Sequence, residues 1–208
     1  MINPEEKTMT IDADFVAFPK IPRLNRGMIV SEKIDGTNAQ VWVHLADADN
    51  DNAPHFATTV EYDGARYYIG AASRTRWIKP ESDNFGFAAW VRENATELVK
   101  LGPGRHYGEW WGLGIQRGYG LHGRQFSLFN TGRWSDERPA CCGVVPVLFA
   151  GQFDNAVIAA TIEDLRFNGS KAAPGFMKPE GIVAWHAATR QFFKVTIEGD
   201  DAPKSLAA

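Results

Sequence analysis

Ser31-Glu32-Lys33-Ile34-Asp35-Gly36-Thr37-Asn38 stands between a short apolar run, Met28-Ile29-Val30, and the segment Ala39-Gln40-Val41-Trp42-Val43. The alternation of the second segment predicts a half-buried strand, so the local shape is strand, glycine turn, strand. Gly36 lets backbone approach a ligand closely, and a lysine at such a turn with a carboxylate two residues on can present its amine to a phosphate. Lys33 is therefore the candidate nucleophile. An ordinary hairpin with a solvated strand-end lysine carries the same signature, so the rest of the chain has to decide between the two.

The chain has 208 residues, 44% of them hydrophobic, which is enough for one sizeable core. We expect a single unit over residues 1–208 with its informative core at about 28–198. Lysine plus arginine number 22 against 25 acidic residues, a net charge of −3, so any nucleic-acid contact must be local. Cys141 and Cys142 are neighbours, poorly placed for an ordinary staple and unlike a zinc spacing. With no signal peptide and no apolar run of membrane length, the expectation is a reduced, cytoplasmic protein without a membrane partner.

Outward from the octapeptide, residues 1–26 predict an irregular lead-in with one edge strand at Phe15-Val16-Ala17-Phe18, and residues 46–54 predict an exposed loop. Phe56 to Ala72 flank Asp63-Gly64 and predict a hairpin, whose second strand runs into Arg74 and Arg76, two candidate phosphate or ribose contacts. Asp83 to Leu101 has its apolar residues at helical steps, a capping Ser82 or Asp83 and a Gly102-Pro103 stop, which predicts a packing helix. Glu109 lies in an apolar strand between Tyr107 and two tryptophans, where a carboxylate needs a partner such as a ribose hydroxyl or a hydrated metal. Gly112 to Gly120 predicts a mobile surface loop that touches substrate, and Phe126 or Phe129 offers a ring to a nucleobase.

Residues 142–149 predict a buried strand interrupted by Pro146, Thr161 to Leu165 a short helix, and Asn168 to Gly175 a flexible loop. Glu180 and Gly181 open another buried strand. Lys194 sits in a strand of apolar and β-branched residues, where an interior lysine needs an anion such as a nucleotide phosphate.

In order, Lys33-Ile34-Asp35-Gly36, Tyr107-Gly108-Glu109, Leu128-Phe129-Asn130, Glu180-Gly181-Ile182-Val183 and Phe193-Lys194-Val195 resemble the motifs of the covalent nucleotidyltransferases. These are the ATP-dependent polynucleotide ligases and capping enzymes, and the resemblance is nearest to the RNA ligases of the phage RNA-repair group. It implies an α+β adenylation domain, two packed antiparallel sheets with flanking helices and a nucleotide pocket between them. It implies ATP and Mg2+ (or Mn2+) as cofactors, RNA ends in nicked duplexes or RNA/DNA hybrids as partners, and a covalent lysyl-AMP on Lys33.

By the same resemblance Glu32 contacts the adenine edge, Arg74 and Glu109 the ribose or the neighbouring substrate, and Phe129 stacks on adenine. Glu180 places the metal, Lys194 holds the α-phosphate, and Asn38 matches a position that handles the RNA end. An amine attacks only when unprotonated, which a nearby cation such as Lys194 or a metal favours. Two departures stand out. Thr196 occupies the place of a second lysine, for which Lys204 is a candidate substitute, and the chain closes soon after the last motif, so no appended C-terminal domain is expected. Sealing is then expected to be weak or to need an accessory protein. The alternatives are a DNA-nick ligase and a non-catalytic nucleic-acid end-binding or ATP-binding module.

Overall fold

A computed structural model describes residues 15–46 and 55–198. The loop expected at 46–54 lies, apart from its first residue, outside the described residues, as do Lys204 and residues 1–14.

β1 (Gly27–Lys33) alternates buried and half-buried positions. Met28 and Val30 point into one apolar cluster, while Ile29, Ser31 and Lys33 take the opposite face. Ile34 to Gly36 then carry the chain into β2 (Thr37–Leu45), which belongs to a different sheet. β3 (Ala57–Tyr62) and β4 (Ala65–Ser73) form the expected hairpin, with Asp63 at φ 50° and Gly64 at φ 73°, the left-handed pair that a tight two-residue turn requires. A short β5 (Trp77–Ile78) returns onto β4.

The predicted helix at 83–101 is broken into α1 (Phe87–Glu93), α2 (Ala95–Leu98) and a 3-10 turn at Val99–Leu101. Asn94 causes the break: at φ −102°, ψ 11° it leaves helical geometry. Asp83 does cap, but from a distance, its carboxylate accepting from Ala88 N and Ala89 N at 2.7 and 2.9 Å. Phe87, Val91, Ala95 and Leu98 are buried on the sheet, as their spacing predicts, and Trp90 is half-buried.

β6 (Gly104–Gly112), β7 (Arg124–Leu128) and β8 (Cys142–Val144) continue the larger sheet, whose order is β3-β4-β2-β6-β7-β8. The last pair, β7 with β8, is parallel, a correction to the expectation of purely antiparallel sheets. Pro146 divides the run at 142–149 as predicted, and the consequence is topological. β9 (Val147–Gln152) leaves for the smaller sheet, ordered β11-β10-β1-β9, so the chain crosses between sheets here as it does at Ile34 to Gly36.

α3 (Asn155–Asn168) is much longer than the predicted 161–165 turn. Asp154 caps it by accepting from Ala156 N at 2.8 Å, and Thr161, mistaken for a start, lies mid-helix with its hydroxyl donating to Val157 O at 2.7 Å. β10 (Gly181–His186) and β11 (Gln191–Thr196) complete the small sheet. Ile162 and Leu165 of α3 pack against Met28, Val30, Ile182 and Ala184.

Residues 15–18 form no strand: Phe15, Val16 and Phe18 are exposed coil. Cys141 and Cys142 are free thiols, as expected. Among the described residues no helix is long and apolar enough to cross a membrane.

Candidate active site

Both sheet crossings converge on one place. Ile34 from the first and Val145 from the second pack with Trp111, Tyr119 and Ala173 in a third apolar cluster, and Lys33 stands at its edge as the last residue of β1. Lys33 pairs with Gly181 across β10, which puts the preceding Glu180 beside it: Lys33 Nζ donates to Glu180 Oε2 at 2.5 Å. Gly181 has φ 156°, and a Cβ there would lie 2.2 Å from Val195 O, so glycine is required for Glu180 to sit at this mouth. Burial pushes the Glu180 carboxyl up, against the pull of Lys33.

On the facing sheet, Asn38 pairs with Glu109, and Glu109 Oε1 accepts from Gly36 N at 3.1 Å. Burial pushes Glu109 up to about 7, with Lys33 and the Gly36 N–H drawing it down and the Glu180 and Asp35 charges adding to burial. The folded protein therefore holds a proton that the unfolded chain has released. The corresponding stability is fully present below the ordinary carboxylate value and is lost as pH rises through about 7; it amounts to about 3 kcal/mol. Glu109→Gln keeps the acceptor for Gly36 and removes the titration. Its melting temperature should fall less than the parent's between about pH 5 and about pH 8, by about 5–10 °C. Equal slopes in parent and variant would mean that Glu109 is ionised in the folded state.

The glycine-rich segment 112–120 is not a mobile surface loop. Ile115 and Tyr119 are buried, Tyr119 Oη accepts from Asp35 N at 2.8 Å, and Arg117 Nε donates to Asp35 Oδ2 at 2.9 Å. Arg117 Nη1 also reaches Lys178 O and Glu198 Oε1 at 3.1 and 3.2 Å. The loop thus clamps the Lys33–Gly36 turn from outside. Neither Arg117 nor Tyr119 stood out from sequence, although an isoleucine, an arginine and a tyrosine among glycines are the residues of a packed loop rather than a solvated one.

The remaining candidates distribute unevenly around Lys33. Glu32 is 1% exposed, and its carboxylate accepts from Ser170 Oγ at 2.5 Å, Lys171 N at 2.7 Å and Ala172 N at 2.9 Å. It holds the loop at 168–175, which is therefore anchored rather than flexible. Phe129 is half-buried on the Ile34–Tyr119 cluster, with its N–H donating to Tyr107 O at 3.0 Å. Arg74 is exposed in the turn after β4, and the pairing of Ser73 with Ala39 brings it to the Asn38 end of β2.

Lys194 is exposed on the same face of the small sheet as Lys33 but is not its neighbour. It is in register with Val183 and Ser31, whereas Thr196 falls in line with Gly181 and Lys33. The immediate partner of Lys33 is a carboxylate rather than a second cation. A groove of about 410 Å³ opens elsewhere, between β9 and α3, with only the Asp164–Lys171 pair as its charged lining, so chemistry rather than volume locates the site.

Structural comparison finds Naegleria gruberi RNA ligase. A mutant with AMP and Mn aligns at a TM-score of 0.56 and 19% identity, covering 84% of this chain and 51% of that one. Mutants with ATP and Mn align at 0.54 with 17% identity, covering 83% and 50%, and at 0.53 with 18% identity, covering 83% and 49%. The chain spans about half the length of these structures, and identities this low establish the fold alone. No curated protein sequence matches significantly. The sequence pattern of one family, RNA ligase, matches residues 26–196, which contain every strand and helix described above, and the chain belongs to that family.

Proposed function

We propose that the chain is the adenylating part of an ATP-dependent RNA ligase that works through a covalent lysyl-AMP on Lys33. The observation that carries this reading is the position of the Lys33 amine, at the crossing between two sheets, 2.5 Å from Glu180 and facing Glu109. In the first step the Nζ–Pα bond forms, the bond from Pα to pyrophosphate breaks and the amine releases a proton. AMP then passes to a 5′-phosphate end, and a 3′-hydroxyl displaces it to seal the strand.

Arg74 and Glu109 serve the ribose, Phe129 the adenine face, Lys194 the α-phosphate and Asn38 the incoming end. Among the described residues no group of three or more acidic, histidine or cysteine side chains could hold a metal alone. That fits a cation bound through one carboxylate, Glu180, together with the phosphates of ATP. Such a cation supplies charge neutralisation on the transferred phosphoryl group. The Naegleria structures with ATP and Mn or AMP and Mn support this choice of cofactors.

Intact mass after incubation with ATP and Mg2+ tests the reading. The parent should gain one AMP and Lys33→Ala none. If the parent takes no AMP and carries none as purified, a non-catalytic end-binding module replaces the ligase. Sealing of nicked RNA, DNA and hybrid duplexes then separates an RNA ligase from a DNA-nick ligase.

A further inference from the structure

The large sheet has two faces, and the reaction above uses only one end of one of them. Ala39, Val41, Val43, Ile69 and Ala71 point to the face that packs on α1 and α2. The alternate residues of β2 run outward from the active site on the other face in the order Asn38, Gln40, Trp42, His44. Register places Tyr107 beside Gln40 and Arg105 beside Trp42 on β6, with Gly70 on the other side of Trp42 on β4.

Ring contacts show that these side chains share one surface. Trp42 lies 5.1 Å from His44 and 5.4 Å from Trp77, and Phe56 stacks on Trp77 at 4.2 Å. The Arg105 guanidinium sits 5.5 Å over the Trp77 ring. The described helices pack elsewhere, α1 on β4 through the opposite face and α3 on β9 and β10. Among the described residues no helix packs over this face, although Gln40, Tyr68 and Ala72 at its centre are buried; a sheet face open to water ordinarily carries polar side chains. This one is aromatic, and Tyr107 on it is 49% exposed.

Two further observations say what the surface lacks. Gln40 and Tyr68 are 6% and 4% exposed, and Gln40 Nε2 and Tyr68 Oη are buried on this face without a hydrogen-bond partner. Arg74 and Arg76 in the turn after β4 and Arg105 on β6 are exposed and enter no ion pair among the described residues, in a chain whose net charge is −3. Aromatic faces and guanidinium groups without a carboxylate partner are together the chemistry that recognises a single-stranded nucleic acid.

We propose that this face is the track on which the single-stranded terminal segment of the RNA lies, leading its end past Asn38 to Lys33. Bases stack on Tyr107 and on the Trp42, Trp77 and Phe56 cluster. Arg74 and Arg105 take phosphates. The seven residues from Asn38 to His44 span about 20 Å at ~3.4 Å per step, in keeping with the smallest single-strand footprints of about 4 nucleotides. The identity of the strand as RNA rests on the ligase reading; the ring and charge geometry does not.

Fluorescence anisotropy of a short labelled oligouridylate bearing a 5′-phosphate, titrated with the full chain, tests the track. Tyr107→Ala should weaken binding about tenfold and Tyr107→Phe should restore it. Arg105→Gln should reduce the slope of log affinity against log salt by about 0.7, the loss of one phosphate contact on a single strand. A parent without affinity, or affinity and slope unchanged in both Tyr107→Ala and Arg105→Gln, overturns the track. AMP mass gain is read on the same samples. Binding through Tyr107 without AMP uptake leaves the track and removes the ligase, whereas AMP uptake with binding indifferent to both substitutions does the reverse.

Discussion

Gly36→Ala is expected to cost the protein its active-site turn. A Cβ at residue 36 would stand 2.5 Å from Trp110 O, 2.7 Å from Trp111 Cβ and 2.9 Å from Glu109 Cγ. The first two belong to or adjoin the backbone of β6 and cannot swing away as a flexible side-chain end would. Relief therefore means opening the β2–β6 ladder at its first pair, Thr37 with Trp110, and lengthening the Gly36 N–H bond to Glu109. Overpacking of this kind costs about 1–3 kcal/mol, which for a chain of 208 residues lowers the melting temperature by about 3–10 °C. The effect on chemistry should be larger than the effect on stability, because the displaced turn carries Lys33 on one side and Asn38 on the other. An AMP mass gain slowed at least tenfold in a variant that still melts cooperatively is the expected result. A variant with parental melting temperature and parental AMP uptake would show that the turn has slack which its packing does not suggest.

The legible part of this molecule is the part whose reasons are local. Lys33, Gly36 and the alternation after them announce a strand, a turn and a strand, and the structure has those elements at those residues. Asp63-Gly64, Pro146 and Gly181 are likewise single residues with backbone requirements, and each marks a real boundary. What sequence conceals is who meets whom. Asp35 is clamped by Arg117 and Tyr119, more than eighty residues away, and nothing in the glycine-rich spacing of 112–120 names that partner. α3 hides because its alanines and partly exposed aliphatics give little contrast between faces, so the helix shows in its Asp154 cap and Gly169 stop rather than in periodicity. The break at Asn94 hides for the opposite reason: the aromatic stripe continues through it, and the pattern alone does not record a change of axis.

Glu32→Ala should have the largest effect on stability of any single change at the site. The side chain is buried, and removing it leaves Ser170 Oγ, Lys171 N and Ala172 N without their acceptor. Hydrogen bonds to a carboxylate contribute about 1.5–3 kcal/mol each, and each buried donor left without an acceptor costs about 1–3 kcal/mol. The melting temperature should drop by about 10 °C. Glu32→Gln should recover much of the loss: its carbonyl can accept from the two backbone N–H groups while its amide donates to Ser170 Oγ, which already accepts from Ala173 N. The pair of variants also separates two roles for this residue. If Glu32 acts on the adenine edge, Glu32→Ala raises the ATP concentration needed for adenylation and leaves melting unchanged. If it is the anchor of the 170–173 loop, melting falls first, and the nucleotide effect follows from loosening Ala172 and Ala173 against Ile34, the residue directly after the nucleophile. The three short bonds from a loop more than 130 residues away favour the anchor, and they explain why a carboxylate is retained where the residues that share its face of β1, Met28 and Val30, are apolar and equally buried.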